Sequence, residues 1–454
     1  MKRDLTEGNI IKQIFLMSIP TMIGFSAQMI YDLVDLFWIG RISSDAIAGV
    51  TIFSTIFWVV ESLNEIIGTS SISLISQAYG KKDSERTNLS IEQTISFKFL
   101  VAVVASAFLI LFLKPIMGFL GSTEVVSYGL SYGYIRIFFL PIMFSSYSVN
   151  TALRCIGDAR TPMVIMILSS ILNIILDPIL MFEKINFFGI TVPGFGKGIF
   201  GAALATIIAQ TVSFIIGFYI LFSGKRGVNP SIKNLFRLNR EIDKKLLTIG
   251  LPNGFEIFIR NIQNVFVLKV VGIFGTAAIS ATGISSRLFG FAFTPLVGLS
   301  MGGSTIIGQS LGAEKTQRAK KTSVYSAVIS LIIMTVFYLF VIFMGKDMIK
   351  IFTNDIQTIK YGYDFMIIAT AGLMFISISF GLSTAFSGSG YNIPFFVSSL
   401  VSKWFAQLPF LLITVVILKM NINYVWISYF IGDFFEFLIS ITFYKKKKWL
   451  KKRV

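Results

Sequence analysis

The chain has 454 residues, 54% hydrophobic and only 14% charged, with a formal net charge of +17. Soluble domains carry roughly 25% charged residues, and here the charges fall in short clusters between long apolar runs, which leaves no room for a soluble domain. The absence of histidine and the single cysteine, Cys155, exclude an internal disulfide, histidine metal sites, histidine proton relays and Ser-His catalysis.

A run of about 20 apolar residues crosses a bilayer as a helix, because lipid offers the backbone no hydrogen-bond partner. Such runs lie near 12–38, 48–77, 91–113, 125–150, 162–182 and 199–222. A second set lies near 247–273, 278–308, 323–344, 357–384, 392–418 and 423–444. The expected fold is therefore all-α and polytopic, with twelve transmembrane helices. The first run is too long for a signal peptide and lacks a small-residue cleavage site, so it is expected to remain as a span. The basic residues gather at Lys2–Lys12, Lys81–Arg86, Arg154–Arg160, Lys225–Lys245, Lys315–Lys321 and the tail from Lys445 to Arg453. These segments all fall on one side of a twelve-span chain. That bias places both termini in the cytoplasm of a cell (plasma or inner) membrane. It explains the basic excess without nucleic acid, and the tail also suits anionic lipid.

The chain repeats itself at a spacing of 232 residues. Pro20 and Pro252, Gln77 and Gln309, Gly80 and Gly312, Arg86 and Arg318, and Pro162 and Pro394 are all so related. Six spans per repeat is an even number, so two six-helix lobes should be related by a pseudo-two-fold along the membrane normal. The expected divisions are an amino-terminal lobe (1–222), a cytoplasmic linker (223–246), a carboxy-terminal lobe (247–444) and a basic cytoplasmic tail (445–454).

An ionisable group at mid-bilayer costs about 2.5–3.5 kcal/mol on insertion scales, so each one needs a reason. Matching depths suggest ion pairs of Glu61 with Arg136 and of Lys403 with Asp433, and Glu256 and Arg260 sit one helical turn apart. Gln28, Tyr31, Asp32 and Asp35 share one face of span 1, and Asn173 and Asp177 share a face of span 5. With Asn150 and Thr206 they supply carboxylate, amide and hydroxyl oxygens, which suit a proton or a hard cation. Glu65, with Lys98 as a partner, is a further candidate proton carrier. At the repeat spacing Asp35 maps to Val267, Asn173 to Phe405 and Asp177 to Pro409, so this chemistry is expected in the first half only.

The strings YDLVDLFWIGRISSDAIAGV, SQAYG, RCIGDARTP, NIILDPIL and GQSLGAEK, in their order along nearly the whole chain, resemble the multidrug and toxic-compound extrusion (MATE) family, in its archaeal and DinF-like branch. The resemblance implies a secondary antiporter, not an enzyme. It would export amphipathic, often cationic compounds in exchange for H⁺ or Na⁺ by alternating access. It implies cation or proton coupling at Asp35, Asn173, Asp177, Asn150 and Thr206, with Na⁺, if used, at the first three. Gln28, Tyr31 and Asp32 would line the cavity and Pro20 would let helix 1 bend. Glu61, Glu65 and Glu256 are secondary candidates. No cofactor beyond the coupling ion is expected. The expected partners are small organic substrates and the lipid bilayer, for a chain acting as a monomer. A lipid-linked precursor flippase of the same superfamily is the main alternative, with Arg136, Arg260, Lys269 and Arg287 along its groove. A membrane enzyme and a passive channel rank lower, since no nucleotide loop or filter ring is present.

Overall fold

The computed structural model describes residues 4–187 and 190–454. The expected spans are helical: α1 (Ile10–Gly40), α2 (Ser44–Gly80), α3 (Ser84–Leu120), α4 (Thr123–Phe138), α5 (Leu140–Cys155), α6 (Arg160–Met181) and α7 (Gly198–Phe222). There follow α8 (Arg240–Val271), α9 (Thr276–Gly312), α10 (Thr316–Lys350), α11 (Ile356–Ser389), α12 (Ile393–Ile417) and α13 (Asn423–Lys445). Counting α4 and α5 as one broken span, twelve spans among the described residues are long and apolar enough to cross a membrane. The only sheet among the described residues is a hairpin, Lys184–Phe187 with Ile190–Pro193, between α6 and α7. Large apolar side chains stand exposed along the helices, Phe343 at 80% for example, where lipid is their solvent.

Two spans depart from straight helices, both at proline. The expected span 125–150 is bent by 55° between α4 and α5. Pro141 supplies no N–H to the Ile137 carbonyl four residues back, and the Ser106 hydroxyl donates to that carbonyl instead, at 2.7 Å. In α12, π-helical turns at Leu400–Gln407 and Leu412–Ile417 flank Pro409, a wider winding that accommodates the missing donor.

Packing divides the chain into two compact units at places the repeat boundary does not anticipate. Residues 23–79 and 83–247 belong to the first unit, and residues 5–22, 80–82 and 248–454 to the second. The first part of α1 thus packs with the second half of the chain. Gly302 of α9 permits it, since a side chain there would come within 2.5 Å of Ser18 Oγ and 3.1 Å of its backbone nitrogen. Ahead of α1, Arg318 donates to the carbonyls of Leu5 (3.0 Å), Glu7 (2.9 Å) and Gly8 (2.8 Å) and to the Gln13 side chain. Lys315 adds bonds to the Thr6 carbonyl and to Glu7, each at 3.1 Å.

The segment ahead of α8 is held in the same manner, within the first unit. Asn88 accepts from the Asn229 N–H at 2.9 Å, and Gln93 accepts from the Asn239 N–H at 2.8 Å while donating to the Arg237 carbonyl at 2.7 Å. The expected linker 223–246 is therefore bound along α3, and it contains a 3₁₀ turn (Ile232–Phe236) and the first turns of α8. Unpaired backbone groups are costly once they leave water, and these side chains satisfy them. The basic tail is likewise anchored: Trp449 is buried and stacks on Tyr444 with ring centroids 5.3 Å apart.

Hydrogen bonds to a charged group contribute about 1.5–3 kcal/mol each. Arg318→Ala is therefore expected to speed amide hydrogen exchange over residues 5–13 by roughly tenfold or more, read by mass spectrometry, while the amides of α11 stay protected.

Candidate functional site

The polar face of α1 enters the first unit as helical spacing requires. Asp35 is 7% exposed, Asn173 of α6 is 1% exposed and Asp177, one turn on, is fully buried. The Asn173 amide donates to Asp177 Oδ1 and to the Thr206 hydroxyl of α7, both at 3.2 Å. On the other side Tyr132 of α4 donates to Asp35 Oδ2 at 3.1 Å, and its hydroxyl accepts from Arg136 at 3.0 Å. Asp35 lies close enough for its charge to reach Asp177.

What remains unbonded defines the chemistry. Asp35 Oδ1, Asp177 Oδ2 and Asn173 Oδ1 are buried and accept no hydrogen bond. A buried polar atom left without a partner costs about 1–3 kcal/mol. Here three acceptors, two of them carboxylate oxygens, are left so. Such a set is chemically suited to a proton on a carboxylate, or to a hard cation shared by carboxylate and amide oxygens. No group of three His, Cys, Asp or Glu side chains gathers among the described residues, so the donor set is two carboxylates with an amide and a hydroxyl.

A cavity of about 40 Å³ lies in the same unit, lined in part by Gln28, Tyr31, Tyr147, Asn150, Arg154 and Gln210. Gln28 donates to the Tyr147 hydroxyl at 3.0 Å and Gln210 to that of Tyr31 at 3.4 Å. Asn150 thus stands in this wall and makes no hydrogen bond to the Asp35–Asp177 group. Asp32 is exposed and is not among the residues lining this cavity. It stands one residue, about 100°, round the helix from Tyr31, enough to take it off the buried face.

Several expected pairings are redistributed. Glu61 and Arg136 form no ion pair: Glu61 accepts from Asn64 at 3.0 Å, and Arg136 turns to Tyr132 and stacks 4.9 Å over the Phe57 ring. Tyr132 lies one turn before Arg136 on the same helix, so the sequence held the signal for this intercept. Lys98 is buried against Phe144, its Nζ 6.0 Å from the ring centroid, and no ion pair joins it to Glu65 among the described residues. Glu256 does pair with Arg260 at 2.6 Å, and Lys403 with Asp433 at 2.8 Å. Glu436, not anticipated, joins them, bonding Arg260 at 3.0 Å and lying 3.8 Å from Lys403. Pro20 lies inside α1, two residues before the change of unit between Met22 and Ile23.

Twelve spans define a multi-pass membrane protein. The MatE family model matches residues 20–179 and again residues 252–413, so this chain belongs to the MatE family. The two matches begin at Pro20 and Pro252, the spacing of the internal repeat. A probable multidrug resistance protein of Bacillus subtilis, YoeA, is 26% identical over 96% of this chain and 93% of its own length. An FAD transporter of Shewanella oneidensis is 25% identical over 76% of this chain and 75% of its own. The fold is that of a solved MOP superfamily transporter from Pyrococcus furiosus, with a TM-score of 0.89 at 22% identity, covering 99% of this chain and 98% of the other.

The two halves of the repeat have diverged in their buried charge. At the positions equivalent to Asp35 and Asn173, the second unit has Val267, fully buried in its apolar core, and Phe405, 71% exposed. Its charges sit instead in the network of Glu256, Arg260, Lys403, Asp433 and Glu436. Removing one partner of a buried pair typically costs about 3–5 kcal/mol, because the other charge is left uncompensated. Lys403→Met should lower the melting temperature of the purified protein by several degrees, and adding Asp433→Leu should restore most of that loss.

Proposed function

We propose that this protein is a secondary antiporter of the cell membrane, with both termini in the cytoplasm, exporting amphipathic organic compounds in exchange for H⁺ or Na⁺. The observation that carries this reading is the set of unbonded acceptors, Asp35 Oδ1, Asp177 Oδ2 and Asn173 Oδ1, buried on two facing helices of one bundle. An empty set of this kind favours whatever brings positive charge to it. An ion acts on conformation only through unequal affinity for two states. The reading supplies that inequality through α1, which carries Asp35 in the first unit and begins in the second. Pro20 leaves the helix without a backbone donor just before this change, so occupancy at Asp35 acts on a helix built to bend. Export of drug-like compounds is in keeping with the relative named as a probable multidrug resistance protein.

The flippase reading needs arginines free to hold a diphosphate. Of the four groove residues, two are engaged within the protein: Arg136 is bonded to Tyr132, and Arg260 to Glu256 and Glu436.

Dye efflux from everted vesicles, under separately imposed pH and Na⁺ gradients, tests the reading. Wild-type efflux should follow one of the two gradients. Asp35→Asn and Asp177→Asn keep the side-chain shape but lose the charge, and each should reduce gradient-driven efflux at least tenfold while the protein still purifies as a folded species. Normal efflux from both variants would remove the ion site from the mechanism, and wild-type efflux indifferent to both gradients would remove antiport itself.

A further inference from the structure

The cavity beside the acid pair holds one charged side chain, and it is a cation. Arg154, in the last turn of α5, is only 5% exposed and lines the cavity wall. A guanidinium carries five N–H donors, yet Arg154 makes one side-chain hydrogen bond, from Nη2 to the Thr151 hydroxyl at 3.1 Å. Its other contact is the Phe25 ring, 5.9 Å from the centroid. No carboxylate lines the cavity, and Glu65, the acid whose field reaches Arg154, forms no ion pair with it. A buried charge is stable only when it is paired and hydrogen-bonded. The first unit therefore holds a guanidinium with no acid bonded to it against a polar void.

We propose that this cavity is an anion subsite, in which Arg154 receives the carboxylate or phosphate head of an amphipathic compound. The assignment rests on the proposed export of amphipathic compounds, and it changes the charge class of the substrate from the cationic one the family resemblance implies. The planar fork of arginine matches an oxyanion in two parallel bonds. The Tyr147 hydroxyl accepts from Gln28 and so has its own proton to donate to the same head. A void of about 40 Å³ admits a few water-sized groups, enough for an acid head and not for an aromatic body. Phe25 and Met166, also in the lining, offer that body an apolar surface.

The test is binding without any gradient, so its outcome does not depend on ion coupling. The full chain, in phosphatidylcholine nanodiscs, is titrated with 1-naphthoate, 1-naphthalenemethanol and 1-naphthylmethylamine, which share a body and differ in head charge. The carboxylate should bind at least tenfold more tightly than the other two. Arg154→Gln should lose at least tenfold for 1-naphthoate and stay within twofold for the alcohol, and Arg154→Lys should fall between. Alcohol or amine binding as tightly as the carboxylate to the unmodified protein would overturn the proposal, and that ranking decides even if the variants fail to fold. Undiminished 1-naphthoate binding by a folded Arg154→Gln would overturn it equally. Repeating the titration in phosphatidylglycerol discs separates two sources of the head. Weakened 1-naphthoate binding at high ionic strength, where the surface charge of the disc is screened, assigns the subsite to an anionic lipid headgroup, and unchanged binding assigns it to an organic acid.

Discussion

A polar atom taken out of water must be given a partner inside the protein, and within a membrane no solvent is at hand to correct an omission. The second unit meets this demand for its buried charges: two basic side chains, Arg260 and Lys403, are laced between Glu256, Asp433 and Glu436. The first unit does not. It leaves carboxylate oxygens of Asp35 and Asp177 without a donor, and leaves Arg154 without an acid. The same duplicated scaffold thus serves as a closed electrostatic unit in one copy and an open one in the other. The proposed ion and substrate chemistry follows from the open copy.

The helix that carries Asp35 is also the one that does not respect the repeat boundary. Its first part packs against α9 because Gly302 presents no side chain to Ser18, and the segment before it is clasped by Arg318. The linker before α8 is clasped by Asn88 and Gln93 of α3 in the corresponding way. Each half of the chain begins with a segment bound to the first turns of a helix of the other half. For α1 this means that one continuous helix runs from that clasp, past Pro20, to the buried acid on which the proposed coupling rests.

The spans, the repeat and the oxygen-rich face of α1 and α6 were legible because each is a local pattern. An apolar run of sufficient length has one stable form in lipid, and side chains three and four residues apart must share a helix face. Partner choice was not legible in this way. Glu61 and Arg136 lie at matching depths, but Tyr132 stands one turn from Arg136 and intercepts it. Arg154 reads as a topology charge at a helix end, and its burial beside Tyr147 and Asn150 becomes visible only when α1, α5 and α7 close round one void. Glu436 was overlooked since its partners lie on α8 and α12, far away in the chain.

The amino-acid sequence alone determined that this is a twelve-span membrane protein duplicated at 232 residues, with its carboxylates unequally shared between the halves. Those properties depend on hydrophobic length and helical periodicity, which act over a few turns of chain. The tertiary structure alone decided which buried charges neutralise one another, which are left open, and to which unit the start of α1 belongs. Those outcomes depend on distances of a few ångströms between helices remote in sequence, and only packing sets such distances.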